Sequence, residues 1–509
     1  MSGIPSFDHF HGRQTDICLI VEGCYPHVTG GVSSWVDWLM RSLPEKTFTV
    51  VSLVSGDEPR QSKYAFPHNL LRFTELNLKG PPPSRYARSY AAGLDHVDEF
   101  SDRLVAMLRG GGVDQLSGLM ASLARLPRRP SFDDLTKSEF AWHLVNATYF
   151  KLMPQSSFID FFWAWQSLVG GMLAVLTFDI QPARTYHTIS TGYAGLLAAK
   201  ASLETQSPVL LTEHGIYTNE RRIEILTADW IADTIDNGLQ MAPDRIDLRA
   251  LWIMAFESYA RTCYEACETV TTLYGDNQKL QLDLGARPNQ LRVIPNGIDI
   301  HRFGSIRPAG VRQPTVALIG RVVPIKDIKT FISAIEQVHG EIANVRALIL
   351  GPEDEDPQYA AECRQMIVDI GLEHVITLTG RVNVADWLPQ IHVVVLTSLS
   401  EAQPLTILEA GAAGIPCVTT NVGSCREILN GTADENPSLG AGGFVTDVVS
   451  PEQIADGVTK LLLDERLREQ MGANLRERVI SYYSSDRSRD AYRSLYNTRP
   501  AQEVTAWQA

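Results

Sequence analysis

Two glutamates lie eight positions apart in the stretch 398–416, SLSEAQPLTILEAGAAGIP. An apolar run at 392–397 precedes them and predicts a buried strand, and the small and apolar residues that follow predict a helix. Glu401 then falls on the loop, whereas Glu409 falls inside an otherwise apolar helix. A solvated helix would scatter its acids, so this placement indicates that both carboxylates face something polar.

The start of this helix is a candidate anion site. Pro404 is favoured in a first helical turn, and the free N–H groups of Leu405 and Thr406 could bind a phosphate there. Glu409, about one turn further on, could accept hydrogen bonds from sugar hydroxyls. The turn therefore predicts a nucleotide-sugar site. For Glu401 the alternative is a helix-flanking acid that interacts with the helix dipole, and this alternative applies more weakly to Glu409.

Two cations stand in GRVVPIKD, residues 320–327, between a predicted strand and a helix that begins near Asp327. Arg321 and Lys326 would lie at the carboxyl end of a parallel strand, where two fixed cations are costly unless an anion pairs with them. A diphosphate suits one forked guanidinium and one point-charge ammonium. We therefore expect a diphosphate here, and a solvated pair of cations is the alternative.

A glycine-rich turn near the start of the chain is a third candidate. The stretch EGCYPHVTGGVSSW, 22–35, is not G-x-G-x-x-G, so it lacks the fingerprint of nicotinamide dinucleotide binding. Gly30 and Gly31 nevertheless open a predicted helix, whose first N–H groups could receive phosphate oxygens. An ordinary turn before a helix explains the same residues equally well.

The elements that must position these residues form two regions in which strands alternate with helices, the pattern of parallel sheets covered by helices. We therefore predict an α/β protein with two Rossmann-like, doubly wound domains that face a cleft, where ligands bind at strand carboxyl ends. The predicted domains are an N-terminal domain at 1–305 and a C-terminal domain at 306–484. A C-terminal helix and tail at 485–509 are expected to cross back to the first domain. An Arg-, Leu- and Ala-rich stretch at about 80–165 fits neither pattern and predicts a helical insertion in the first domain.

The bulk composition excludes several classes of protein. A chain of 509 residues with 44% hydrophobic and 20% charged residues is typical of a globular protein of two or three domains. A net charge of −14 argues against a nucleic-acid partner. The seven cysteines form no CxxC pair, which favours a reducing compartment.

Two segments bear on targeting. The first 16 residues lack a basic start followed by an apolar run, so we expect no signal peptide. Residues 161–178 carry no charge, and their length is at the lower edge of a membrane span. Asp160 and Asp179 bracket this segment tightly and no Lys or Arg cluster flanks it closely, so we interpret it as a buried helix.

The four charged residues Arg321, Lys326, Glu401 and Glu409, with the glycine pair near the start, resemble the retaining glycosyltransferases of family 4, which have the GT-B fold. Order and spacing agree from about 16 to 480. Three further stretches are similar to a subgroup of that family that acts in synthesis of the bacterial Pel exopolysaccharide. They are YHTISTGYAGLLAA at 186–199, LLTEHGIYTNERRIEI at 210–225 and GPEDEDPQYAAEC at 351–363.

The resemblance implies a role for each charged residue. Arg321 and Lys326 would hold the donor diphosphate and stabilise it as the leaving group. Glu409 would bind the ribose hydroxyls, and Glu401 would bind the donor sugar. Backbone groups near Val382 would meet the base.

The resemblance also implies a histidine of the first domain near the reaction centre. His214, in the stretch TEHG, is our candidate for it. His187 is a weaker candidate, because a packed core histidine explains it about as well.

The implied activity is that of a retaining hexosyltransferase that takes a UDP-sugar and extends a polysaccharide acceptor on the cytosolic side. Inner-membrane synthase partners are expected, so the chain would be cytoplasmic and peripheral to that membrane through them. The alternative is a non-catalytic, nucleotide-binding assembly subunit of a polysaccharide synthase complex.

One acidic stretch could suggest a metal site. EDED, 353–356, contains Asp354 and Asp356 in the spacing of the DxD motif by which the other glycosyltransferase fold binds a divalent metal. Arg321 and Lys326 already supply the positive charge that such a metal would provide. We therefore expect no metal and no cofactor, and a solvated acidic loop at 353–356.

Overall fold

The computed structural model describes residues 14–56, 58, 60–80, 91–227, 247–307, 310 and 313–497. These fall into two compact units, of which the second comprises 273–276 and 293–492, and the first comprises the remainder. The predicted domain boundary after residue 305 therefore lies within the second unit. The reason is local packing, because the short helix Ile300–Gly304 contacts two later helices of that unit, Leu405–Ala412 and Glu465–Tyr482.

The first unit is built on a seven-stranded sheet of order β3-β2-β1-β4-β5-β6-β7. Its strands are rich in buried Val, Ile and Leu, as expected when helices cover both faces of a parallel sheet. They are β1 (Thr15–Glu22), β2 (Phe48–Val54), β3 (Leu70–Asn77), β4 (Ala183–Thr188), β5 (Val209–Glu213), β6 (Cys267–Thr272) and β7 (Leu291–Val293). β1 pairs in parallel with β2 and β4, so the strand order reverses between β1 and β4, which is the Rossmann arrangement.

Ten helices belong to the first unit in the described residues. They are α1 (Gly31–Ser42), α2 (Val97–Gly110), α3 (Val113–Ala124), α4 (Phe132–Thr136), α5 (Glu139–Leu152), α6 (Phe158–Thr177), α7 (Tyr193–Thr205), α8 (Tyr217–Thr227), α9 (Leu248–Ala266) and α10 (Asn277–Asp283). Between β3 and β4 lie α2 to α6, which form the helical insertion. The insertion extends to residue 177 rather than 165, and its predicted start at 81–90 lies outside the described residues.

The uncharged segment predicted at 161–178 lies in α6. Within the described residues this is the one helix whose length and composition would allow it to cross a membrane, and 67% of its most apolar window is buried inside the protein. Trp165, Leu168 and Met172 belong to the core of the first unit. At its N-terminal end Trp163 remains 65% exposed, so burial is not uniform along the helix.

The second unit is built on a six-stranded sheet of order β10-β9-β8-β11-β12-β13. Its strands are β8 (Thr315–Ile319), β9 (Arg346–Leu350), β10 (Ile376–Gly380), β11 (Val393–Leu396), β12 (Cys417–Thr420) and β13 (Gly443–Thr446). All five pairings are parallel. The strand order reverses between β8 and β11, and the crevice outside the carboxyl ends of such strands is where doubly wound sheets bind ligands.

Nine helices belong to this part of the described chain. They are α11 (Ile300–Gly304), α12 (Ile328–Glu341), α13 (Pro357–Asp369), α14 (Val384–Trp387), α15 (Leu405–Ala412), α16 (Cys425–Asn430), α17 (Pro451–Leu463), α18 (Glu465–Tyr482) and α19 (Ser485–Asn497). Two hydrophobic clusters hold the helices against the sheet. The end of α19, from Arg493 onward, is grouped with the first unit, where Arg493 donates to Glu45 at 2.8 Å. The tail beyond residue 497 lies outside the described residues.

Candidate functional site

The point at which β8 and β11 pair gathers the charged residues predicted from the sequence. Val316 and Leu318 of β8 lie opposite Val393 and Val395 of β11. The loops that leave these two strands therefore emerge side by side at one sheet edge. One loop carries Arg321 and Lys326, and the other leads to Glu401 and α15.

Lys326 and Glu401 form a direct ion pair. The Lys326 ammonium donates to Oε1 of Glu401, and the Ser398 hydroxyl donates to the same oxygen at 2.7 Å. Their side chains are only 18% and 15% exposed. Within the described residues no hydrogen bond reaches the second oxygen, Oε2, so half of the carboxylate is free to accept from a ligand hydroxyl.

Two backbone contacts fix the position of Lys326. The hydroxyl of Thr397, which is fully buried, donates to the Lys326 carbonyl at 2.7 Å. The N–H of Leu399 donates to the carbonyl of Ile325 at 2.9 Å. These contacts join the loop after β8 to the loop after β11 and hold the backbone of Lys326 in place before any ligand binds.

Asp327, next to Lys326, takes a backbone conformation that few residues adopt. It ends a short 3-10 turn and begins α12 at φ +47°, in the left-handed region that Asp tolerates better than most residues. Its side chain accepts from the N–H of Thr330, which caps the helix. The sharp turn lets Lys326 point at Glu401 while the chain enters α12.

Arg321 lies in the same loop but contacts a different acid. Its guanidinium forms an ion pair with Glu355, and both side chains are about half exposed, at 52% and 51%. The loops after β8 and β9 approach closely here because Gly351 has no side chain: a Cβ atom there would lie 1.9 Å from the carbonyl oxygen of Gly320. The two residues that are predicted to bind phosphate therefore have different carboxylate partners in the described structure: Arg321 pairs with Glu355, and Lys326 pairs with Glu401.

The helix that follows Glu401 begins one residue later than Pro404. Pro404 is the residue that precedes the helix, at φ −75° and ψ 109°, and α15 itself starts at Leu405. No side chain caps this helix start in the described structure. The first N–H groups, which include those of Leu405 and Thr406, are therefore available to an anion.

Glu409 lies on the second turn of α15 and is mostly buried. Burial raises the pKa of its carboxyl to about 7, and the nearby Arg302 opposes that shift. Arg302 also donates to the side chain of Asn383, which follows β10, at 3.0 Å. Val382 packs beside the apolar cluster to which α15 contributes Ile407. The predicted ribose and base contacts thus belong to one part of the second unit.

In the first unit, His214 follows β5 and lies against α1. Its ring makes an edge contact with the indole of Trp35, with ring centroids 4.8 Å apart. Both ring nitrogens are buried, and neither has a hydrogen-bond partner among the described residues. Burial lowers the pKa of His214 to about 4, so the imidazole is neutral at pH 7. A neutral ring with a free donor and a free acceptor is suited to a polar ligand.

Gly30 and Gly31 stand at the start of the helix that carries Trp35, so they belong to the same end of the sheet as His214. A Cβ at either glycine would meet no atom within 4 Å, and no side chain caps the first turn. Gly30 has extended backbone at φ 172°, which any residue can adopt. The pair therefore leaves the helix start open, and no backbone strain demands glycine there.

His187, the weaker candidate, is a satisfied core residue. It is 1% exposed, its Nε2 bonds the Thr212 hydroxyl at 2.8 Å, and its Nδ1 bonds the Tyr496 hydroxyl at 2.6 Å. Burial lowers its pKa to about 3. Because both nitrogens are engaged by the protein, His187 supports the packing of the first unit, the simpler of the two explanations considered above.

Several residues of the site escaped sequence reasoning. Ser398 and Thr397 carry no motif signal beyond being polar at the end of a buried strand. Glu355 lies on a loop and Arg302 lies on α11, both remote in sequence from their partners, and only the packing of the second unit brings them to Arg321 and Glu409. The alternation of strands and loops could have predicted that the loop of Glu355 lies at this edge of the sheet. It could not have predicted that the Glu355 carboxylate contacts Arg321.

Comparison with known families assigns both halves of the chain. The family described as "Domain of unknown function (DUF3492)" matches residues 15–289, and the family "Glycosyl transferases group 1" matches residues 313–464. The second match contains Arg321, Lys326, Val382, Glu401 and Glu409. The donor-site prediction from sequence therefore falls within the glycosyltransferase match.

Curated relatives carry glycosyltransferase names. The chain is 23% identical over 283 residues to an MMP α-(1→4)-mannosyltransferase of Mycolicibacterium hassiacum, covering 54% of this chain and 62% of that protein. It is 28% identical over 216 residues to a GDP-mannose-dependent phosphatidylinositol monomannoside mannosyltransferase of Mycobacterium tuberculosis, covering 38% and 53%. The chain thus spans little more than half the length of these relatives.

Solved structures share the fold. HepE of Anabaena, in complex with UDP and glucose, aligns with a TM-score of 0.55 at 13% identity, covering 95% of this chain and 100% of HepE. Sucrose-phosphate synthase of Thermosynechococcus elongatus aligns with a TM-score of 0.56 at 15% identity, covering 96% and 100%. The predicted fold class, two parallel-sheet Rossmann-like domains of the GT-B type, is confirmed. The chain belongs to the DUF3492 family, and its residues 313–464 match the glycosyl transferases group 1 family.

Proposed function

We propose that the chain is a retaining glycosyltransferase that moves a sugar from a UDP-sugar to a growing exopolysaccharide. The observation that carries the proposal is the Lys326–Glu401 pair, held beside the uncapped start of α15 where the strand order of its sheet reverses. The glycosyltransferase names of the relatives support sugar transfer. The UDP and glucose bound to HepE support a UDP-sugar. The proposed acceptor, a Pel-type polysaccharide, rests on the resemblance to the subgroup that acts in synthesis of the Pel exopolysaccharide.

The chemistry follows from where charge develops. As the bond between sugar and phosphate breaks, the sugar becomes oxocarbenium-like and negative charge grows on the nucleotide diphosphate. Lys326, Arg321 and the first N–H groups of α15 would stabilise that charge, and Lys326 is already held in place. Attack from the face that the diphosphate leaves retains the configuration and lets the departing phosphate accept the acceptor's proton. No protein base is then required.

Glu401 takes part in this scheme in two ways. One carboxylate oxygen holds the Lys326 ammonium, and the other can accept from a hydroxyl of the donor sugar. Two carboxylates acting as nucleophile and acid, as in a glycosidase, would be the rival arrangement. The ion pair to Lys326 argues against a free nucleophile, because the cation withdraws charge from the carboxylate.

A donor panel tests the proposal directly. Purified protein is incubated with UDP-glucose, UDP-galactose, UDP-N-acetyl sugars and GDP-mannose, and release of the nucleoside diphosphate is measured with and without polysaccharide acceptor. We expect turnover with one UDP-sugar. Turnover with GDP-mannose alone would reassign the donor. Nucleotide binding without any turnover would favour the non-catalytic assembly subunit.

Removal of divalent metal is expected to leave activity intact. The four acids at 353–356 are each engaged within the protein: Glu353 with Arg364, Asp354 with Arg381, Glu355 with Arg321, and Asp356 as the cap of α13. These contacts favour a structural loop over a metal site. Turnover of the active UDP-sugar should therefore survive excess EDTA. Complete loss that added Mn²⁺ restores would contradict this prediction.

Donor binding is expected to weaken below pH 7 because of Glu409. Its pKa of about 7 means that the free carboxyl takes up a proton as the pH falls, and the charged form is the stronger acceptor for two ribose hydroxyls. Well below pH 7, the Kd for the UDP-sugar should increase by up to about tenfold for each unit by which the pH is lowered. The measurement is titration calorimetry between about pH 5.5 and 8.

Glu409→Gln is the matched control for this pH dependence. The amide keeps the shape of the side chain but does not titrate, so the variant should bind more weakly at pH 8 and show a nearly flat profile. The intact UDP-sugar is used rather than UDP, because a terminal phosphate itself titrates near pH 6. An unchanged slope in the variant would remove Glu409 from the ribose site.

A further inference from the structure

The acidic loop 353–356 is anchored at both ends. Glu353 receives two hydrogen bonds from Arg364 of α13, at 2.9 and 2.8 Å. Asp356 accepts from the N–H of Tyr359 at 3.0 Å and so caps α13. With these two acids fixed, the two between them have a defined place at the carboxyl edge of the sheet.

The two middle acids face arginines that follow neighbouring strands. Glu355 pairs with Arg321, which follows β8. Asp354 lies 3.9 Å from Arg381, which follows β10 and directly precedes Val382. Nothing in the packing of β9 requires these contacts, since all four side chains are at least half exposed. The loop thus places negative charge on the cations that border the predicted donor site.

We propose that Glu355 occupies Arg321 in place of the donor diphosphate and must release it when the donor binds. The inference rests on the proposed function. A carboxylate and a phosphate both suit the guanidinium fork, so they compete for the same donors. The Arg321–Glu355 pair is half exposed and such pairs are weak. A diphosphate, with more charge and with Lys326 and the start of α15 as further ligands, can therefore displace it.

Glu355 is therefore a positioning residue that lowers donor affinity and makes it sensitive to salt. Glu355→Gln should tighten binding of UDP about 3- to 10-fold at about 50 mM salt, because a like charge beside the diphosphate is removed. At about 300 mM salt the gain should shrink, because exposed charges are screened. In turnover, the change should fall on KM for the UDP-sugar rather than on kcat.

Glu362→Gln is the matched control. Glu362 pairs with Lys329 at 2.8 Å, and this pair is exposed to a similar degree, at 46% and 43%. Lys329 lies on α12 and has no contact with Arg321 or Glu401 in the described structure. The control removes the same charge from the same unit, so it should leave the Kd for UDP and its salt dependence unchanged.

A double variant separates competition from general charge. In an Arg321→Ala background, Glu355→Gln should no longer tighten UDP binding, because the guanidinium for which the two compete is absent. Equal tightening in both backgrounds, or no tightening with Arg321 present, would overturn the proposal. Weaker binding of UDP by Glu355→Gln would overturn it too, since it would mean that Glu355 orients Arg321 for the donor. If the unaltered protein binds no nucleoside diphosphate, the proposed function itself fails.

Discussion

Lys326→Ala is expected to lower sugar transfer about 10²- to 10³-fold while the chain stays folded. The ammonium is one of the charges that would meet the leaving diphosphate, and it is the one whose position is fixed from two sides. Thr397 holds its backbone and Glu401 holds its side chain. A cation that is already in place costs no reorganisation when charge develops, so its loss falls mainly on kcat.

The same substitution should leave the chain folded but cost some stability, because it removes the cation from a carboxylate that is itself only 15% exposed. Lys326 is 18% exposed, and its partner Glu401 keeps the Ser398 hydroxyl as a donor. The variant is therefore expected to unfold at a lower temperature than the unaltered protein, and turnover is compared well below that temperature. Lys329→Ala is the control. Lys329 lies three residues after Lys326, and the substitution removes it from an exposed ion pair with Glu362. Near-normal turnover by Lys326→Ala, or equal loss by Lys329→Ala, would contradict the donor-site assignment.

Much of the fold was predictable because strand and helix patterns are local. Apolar runs such as those of β8 and β11 follow from buried parallel strands, and GRVVPIKD and SEAQPLTILEA lie at their carboxyl ends, as predicted. The adjacency of the two loops could be predicted as well. In doubly wound sheets the ligand binds where the strand order reverses, between the loops that follow two neighbouring strands. The helical insertion was also recognisable, although its end was not.

Side-chain pairing could not be predicted, because it depends on distances across the sheet. The family resemblance implied that Glu401 binds the sugar and that Lys326 binds the phosphate, but it did not predict that the two side chains form one ion pair. The sequence also indicated a solvated acidic loop at 353–356, whereas Glu355 contacts Arg321. Both contacts link residues more than thirty positions apart, and only the register of the sheet decides which charges meet.

The two buried histidines of the first unit give the second large expected effect. His187 and His214 both make edge contacts with Trp35. Their ring centroids lie 5.9 and 4.8 Å, respectively, from the centroid of the Trp35 ring. They differ in their hydrogen bonds. His187 is engaged at both nitrogens by Thr212 and Tyr496, whereas His214 has no hydrogen-bond partner among the described residues.

A buried polar group without a protein partner costs about 1–3 kcal/mol, so the packing of the first unit does not by itself explain His214. We expect His214→Leu to lower sugar transfer about 10²-fold, because a neutral imidazole that would bond the donor sugar or phosphate is lost. The free energy of unfolding of the first unit should stay the same or rise. His187→Leu should instead lower the free energy of unfolding, because Thr212 and Tyr496 lose the histidine to which both are hydrogen-bonded.

The pH dependence of unfolding gives an independent check on His214. Its pKa is about 4 in the folded chain and about 6.5 in an unfolded one. Between these values the unfolded state binds more protons, so stability falls as the pH falls through this window. His214→Leu removes that contribution, and its denaturation midpoint should therefore fall less steeply between pH 6.5 and 4. Full turnover in His214→Leu, or a loss of stability equal to that of His187→Leu, would show that His214 is a packing residue like its neighbour.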